Sequence, residues 1–96
     1  MIRHIVLFKM KEGQENQAKK LGQALALMKE KTGGLMLECE VGFDVIHAKN
    51  SYDVVLNSVF QDTGGLEKYR IHPEHVKILD FIAEACSATV KVDYTC

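Results

Sequence analysis

Ninety-six residues supply enough chain for one domain, 1–96. Lys+Arg 12 against Asp+Glu 13 gives a formal charge of -1, which argues against a nucleic-acid binder, usually marked by a basic patch or stripe. The 47% hydrophobic and 26% charged fractions are those of an ordinary soluble globular chain, and no apolar run approaches the ~18 residues of a membrane helix.

A chain this short buries only ~60–65% of its unfolded surface, so association would add stability. The opening Met1–Lys9 alternates like a strand and lacks a small-residue cleavage site, which argues against a signal peptide. Three widely spaced cysteines, Cys39, Cys86 and Cys96, form no C-x-x-C pair. They fit reduced thiols in a cytoplasm, with Cys39 and Cys86 as small core residues.

Residues 2–10 predict the first strand. Ile2, His4, Val6, Phe8 and Met10 share one side; Arg3, Ile5, Leu7 and Lys9 share the other. Both sides are apolar in the middle, so both need cover: helices on one, a second subunit on the other. Over 14–32, Ala18, Leu21, Ala24, Leu25 and Met28 recur at helical spacing, and Gly33-Gly34 ends the helix. Residues 35–45 predict a half-exposed strand, with Leu35, Leu37, Cys39, Val41 and Phe43 on its apolar side. A polar connection, His47 to Ser51, leads to a third strand over 52–60, where Val54, Leu56, Ser58 and Phe60 share a face.

Asp62 or Thr63 then caps a helix. Pro73 interrupts it, because proline lacks an amide donor and disfavours helical geometry at His72. The expectation is a short helix over 64–71, a break, and a second helix over 73–86 with His75, Leu79, Ile82 and Cys86 along its core-facing side. Residues 87–95 predict the last strand, with Ala88, Val90, Val92 and Tyr94 on one side. The order βαββαβ is the ferredoxin-like α+β arrangement, a four-stranded antiparallel sheet with helices on one face.

The densest chemistry lies in Tyr69-Arg70-Ile71-His72-Pro73-Glu74-His75. An imidazole titrates near pH ~6.5 and can serve as a base at neutral pH. Removing a proton beside a carbonyl needs such a base and a group that holds the enolate oxygen. A phenol six residues before His75 could hold it, provided that the break at Pro73 brings the two together. His4 shares its strand side with Val6 and Phe8 and could join the same pocket. Spacing also admits a structural reading, in which His4 and His75 are hydrogen-bonded core residues and Tyr69 is packing. His72 shapes the break or caps the helix, Glu67 and Glu74 are solvated, and Asp93-Tyr94 seals the core or a subunit seam. His72 and His75 lack a third and fourth ligand, so no metal is expected.

His4-Ile5-Val6-Leu7-Phe8-Lys9, Tyr69-x-x-His72-Pro73-x-His75 and Val92-Asp93-Tyr94 resemble the stress-responsive A/B barrel (Dabb) family over essentially the whole chain. That resemblance implies a dimeric α+β barrel, two ferredoxin-like subunits packed sheet against sheet, and no cofactor. A plant member of the family cyclises a polyketide by aldol condensation. By that likeness His75 would be the general base, Tyr69 the orienting phenol and His4 the assisting imidazole. Val6, Phe8, Leu56, Ser58 and Leu79 would bind substrate. The first helix departs from that relative: Ala18, Leu21, Ala24, Leu25 and Met28 stand where it places aromatics, so a different substrate is expected. The partners expected are a second copy of the chain and a small apolar or carbonyl-bearing metabolite. The alternative is a non-enzymatic stress-response or scaffolding dimer with a filled core.

Overall fold

A computed structural model describes residues 1–96. Four strands form one antiparallel sheet in the order β2-β3-β1-β4: β1 (Ile2–Met10), β2 (Met36–Phe43), β3 (Val54–Phe60) and β4 (Cys86–Thr95). The first crossover carries α1 (Ala18–Ala26) and α2 (Met28–Lys31); the second carries α3 (Thr63–Arg70) and α4 (Pro73–Ala85). No helix is long and apolar enough to cross a membrane.

The expected single helix over 14–32 is three pieces. A 3-10 turn, Glu15–Gln17, precedes α1, and Leu27 separates α1 from α2. The apolar stripe survives the break, because Leu27 keeps near-helical angles (φ -81, ψ -11). Leu21, Leu25 and Met28 are all closed against the sheet. Gly33 and Gly34 adopt φ +66 and +88 after α2, a conformation that costs glycine nothing.

β2 shows one departure from strict alternation. The register slips between Met36 and Glu38, so Met36 pairs with Phe60 while Glu38 pairs with Val59. Leu37 is the extra residue of a bulge and is half-exposed. Met36 takes the core position instead, fully buried with Met28, Phe60 and Tyr69. The larger cluster joins Phe8, Met10, Leu21, Leu25, Val54, Leu56, Ile78, Ala85 and Cys86.

In α4 the core-facing residues are Ile78 and Ala85. The expected stripe of His75, Leu79 and Ile82 runs one position to the side, and Leu79 is 44% exposed. Those three border a cavity rather than the closed core. β4 is amphipathic. Its apolar residues Val90 and Val92 pair with Leu7 and Ile5, and Tyr94 with Arg3, on the side away from the helices. No layer covers that side, and Val90, Val92 and Tyr94 are 47%, 54% and 45% exposed. The alternate residues Thr89, Lys91 and Asp93 pair with Phe8, Val6 and His4 and so share the helix side.

Candidate functional site

Two caps build the break that shapes the site. The Asp62 carboxylate accepts from Gly65 N at 2.8 Å and starts α3. His72 stands before Pro73 with extended angles (φ -63, ψ 137), and its Nδ1 accepts from Glu74 N at 3.1 Å. Proline at the first helical position needs no partner for the amide it lacks. The chain therefore turns sharply between α3 and α4, and the turn carries Tyr69 and His75 to a ring-centroid separation of 4.5 Å. An unbroken helix would set residues six apart on different faces.

A cavity of about 440 Å³ opens between α3, α4 and the helix side of β1, β3 and β4, within the size range of small-molecule sites. His4, Tyr69 and His75 border it, as do Val6, Phe8, Leu56 and Leu79. Ser58 does not: it is fully buried behind the wall, and its hydroxyl donates to the His4 carbonyl at 3.1 Å. Leu25, Leu66 and Ile82 add apolar wall. Thr63, Glu67, Arg70, Thr89 and Lys91 supply the polar part of the lining.

The imidazole of His75 is fixed by its neighbour. Its Nδ1 lies 2.8 Å from the carbonyl oxygen of Arg70. A carbonyl only accepts, so Nδ1 carries the hydrogen and Nε2 keeps a lone pair. Burial lowers the pKa of His75 below its ordinary value of 6.5, and the nearby His4 and Arg70 charges push the same way, outweighing the Arg70 carbonyl bond. The ring is therefore neutral at pH 7, with Nε2 as its basic atom.

Tyr69 is 1% exposed. Its hydroxyl is closed to solvent and has no hydrogen-bond partner in the fold. Burial raises its pKa well above the ordinary phenol value, and the neighbouring Cys39 adds to the rise. It stays a protonated donor at any physiological pH. An unpaired buried donor is uncommon, because its lost hydration is not replaced.

His4 lies edge-on to Tyr69, centroids 6.4 Å apart, and to Phe60 at 6.0 Å. Its Nδ1 pairs with the Asp93 carboxylate, which also accepts from Lys91 Nζ at 2.5 Å. Burial opposes ionisation of Asp93, but the Lys91 and His4 bonds prevail and hold its pKa below the ordinary carboxylate value. An ionised Asp93 fixes a hydrogen of His4 on Nδ1. Asp93, read in the sequence as a seal, is thus the anchor of His4. Glu67, read as solvated, borders the cavity while Arg70 holds both its oxygens at 2.8 and 3.0 Å.

Sequence reasoning did not find Thr89, Lys91, Arg70 or Thr63. A signal for the first two was present. The apolar residues of β4 all fall on alternate positions, so the others share one side. Antiparallel pairing with β1 then places Lys91 opposite Val6 and Thr89 opposite Phe8.

A four-stranded sheet under two broken crossovers, with a half-apolar cavity between the layers, defines a ferredoxin-like α+β protein. The chain belongs to the Stress responsive A/B Barrel Domain (Dabb) family, whose model matches residues 2–96. A dimeric protein of ferredoxin-like fold from Bacteroides fragilis superposes with a TM-score of 0.85 at 26% identity, covering 99% of this chain and 95% of its own. A dimeric ferredoxin-like protein from Thermobifida fusca gives 0.85 at 25% identity, with 99% and 90% covered. An antibiotic biosynthesis monooxygenase gives 0.80 at 14% identity, with 100% and 98% covered; that likeness is one of fold alone. Among curated proteins, none matches the sequence.

Proposed function

We propose that the chain is a one-domain homodimer that binds a small, largely apolar, carbonyl-bearing metabolite in this cavity, and that His75 acts there as a general base. The tethered ring of His75 carries the proposal: Nδ1 is spent on the Arg70 carbonyl, so the free Nε2 is neutral and basic at pH 7. The base would remove a proton beside the carbonyl, in an aldol or cyclase-like step. The Tyr69 hydroxyl, unpartnered and closed to solvent, would donate to the resulting enolate oxygen once ligand entry opened the packing around it. His4, oriented by Asp93, would pass a proton to or from that oxygen. The chemistry needs no cofactor, and the unpaired cysteines suit a reducing cytoplasm.

The dimer would form across the uncovered sheet side, where Ile5, Leu7, Val90, Val92 and Tyr94 stand together. Two such faces packed together would close a barrel; the relatives from B. fragilis and T. fusca, described as dimeric and ferredoxin-like, support a dimer. The cavity lies on the opposite side of the sheet, so assembly would leave it open. Sedimentation at micromolar concentration should give twice the chain mass of 10.8 kDa. Val92→Asp should give that mass once, since a charge would be buried without a partner; a dimeric variant would remove the proposed seam.

The cavity is tested by titrating small ketones, β-diketones and phenols against the protein while following the imidazole resonances of His75. Selective, saturable shifts at His75 that vanish in Tyr69→Phe would support the proposal. A set of carbonyl compounds that moves nothing near His75 would leave the non-enzymatic dimer as the better reading.

A further inference from the structure

Resting on that cavity, we propose that its ligand is an amphipathic anion: an apolar body ending in a carboxylate or similarly acidic group held by Lys91. The body of the cavity is apolar, with Val6, Phe8, Leu25, Leu56, Leu79 and Ile82 around it. Its titratable rim holds two cations, Arg70 and Lys91, and one carboxylate, Glu67. Both Glu67 oxygens are already taken by Arg70. Lys91 makes one hydrogen bond, to Asp93. An ammonium has three donors, so two have no protein partner and are open to water or a ligand. Asp93 does not border the cavity, and it shares its charge between Lys91 and His4. Arg70 gives two of its five N–H donors to Glu67 and keeps the others.

The wall therefore offers more free donors than acceptors, since its acceptors are two imidazole nitrogens, of His4 and His75, and the hydroxyls of Thr63 and Thr89. A ligand that complements it is rich in acceptors at one end. A carboxylate can take several donors at once, and its charge strengthens each bond. A neutral alcohol engages fewer donors, leaves the rest to water and brings no charge to Lys91. A cation finds no free carboxylate, since Glu67 is engaged by Arg70 and Asp93 by Lys91 and His4.

Position supports the same conclusion. Lys91 projects from the edge strand on the helix side, opposite Val6, with 63% of its side chain exposed. It sits where the cavity meets water, with the imidazole of His75 and the phenol of Tyr69 deeper in the wall. A ligand held there would place its apolar end inward and its acid at the rim.

The experiment compares three probes of one chain length, decanoate, decanol and decyltrimethylammonium, by calorimetric titration of the full chain, with the His75 resonances recorded in parallel. Decanoate should bind roughly tenfold more tightly than decanol, the contribution of one charge-assisted bond, and the ammonium should bind least. Lys91→Gln should remove the preference for decanoate, while Lys20→Gln, on the outer helical surface, should keep it. Equal binding of decanoate and decanol, with His75 shifted by both, would overturn the anion while leaving the cavity reading intact. Failure of all three probes to shift His75 would overturn both. A decanoate preference that survives in Lys91→Gln would place the acid elsewhere and overturn the role of Lys91. Should that variant fold poorly, the ratio of decanoate to decanol affinity in the unaltered protein still decides.

Discussion

Between β1 and β2 the chain crosses the sheet as α1 and α2, and Leu21, Leu25 and Met28 are 0–3% exposed beneath it. Between β3 and β4 it crosses as α3 and α4, and His75, Leu79 and Ile82 border a cavity of about 440 Å³. Both crossovers are broken, so a break alone does not open a site. At Leu27 the backbone stays near-helical (φ -81, ψ -11), and the apolar stripe continues across. At His72 it is extended (φ -63, ψ 137), as the residue before a proline prefers to be. The first break is a wobble in one helix. The second is a corner, and it lets a buried phenol and an imidazole six residues apart meet.

The difference should show first in packing. Leu21→Ala removes a fully buried side chain from the closed crossover and should cost about 2–5 kcal/mol in urea unfolding. Ile82→Ala, in the open crossover, enlarges a space that already exists and should cost about 1.5 kcal/mol or less, since no new closed cavity forms. Equal losses would mean that the second crossover is packed as tightly as the first.

The corner itself is next. His72→Ala removes the side chain that accepts from Glu74 N, and loss of such a cap costs about 1 kcal/mol. Pro73 would still break the helix, so the variant should fold. The slackened corner should also weaken the contact between Tyr69 and His75, read as a changed ring-current shift on His75. A variant as stable as the parent, with His75 unmoved, would show that proline alone makes the corner.

How much of this was legible in the sequence follows from what each feature depends on. Strand alternation and the stripe of Ala18, Leu21, Leu25 and Met28 are local patterns, so element order and sheet type could be read directly. The corner was legible too, because proline acts on its own neighbour. The bulge at Leu37 was not: alternation alone prefers Leu37 inward and Met36 outward, and pairing with Phe60 and Val59 reverses it. The cavity's lining was legible in part. His4, Val6, Phe8, Leu56, Tyr69, His75 and Leu79 lie on elements whose inner sides the pattern reveals. Lys91, Arg70 and Thr89 look like solvated residues in a list. Only the register of an edge strand and the turn of a broken helix bring them to the rim. Asp93 likewise acquires its role from pairing opposite His4, 89 residues away.

The smallest effect is also the most specific to the open crossover. The closed one buries no histidine, whereas His75 sits half-buried with its pKa lowered from 6.5. In the unfolded chain the same imidazole takes up a proton near pH ~6.5. Between the two values the unfolded state binds more protons, so stability rises with pH through that window. Protonation thus works against the fold as pH falls below ~6.5 and has no influence above it. His75→Gln cannot titrate, so the stability difference between parent and variant should be flat above about pH 7 and should shrink on acidification toward about pH 5. Reading the difference cancels the carboxylates that both proteins share. A constant difference across that range would mean that the fold leaves His75 as free to ionise as water does, and the neutral Nε2 on which the proposed base depends would then lose its physical ground.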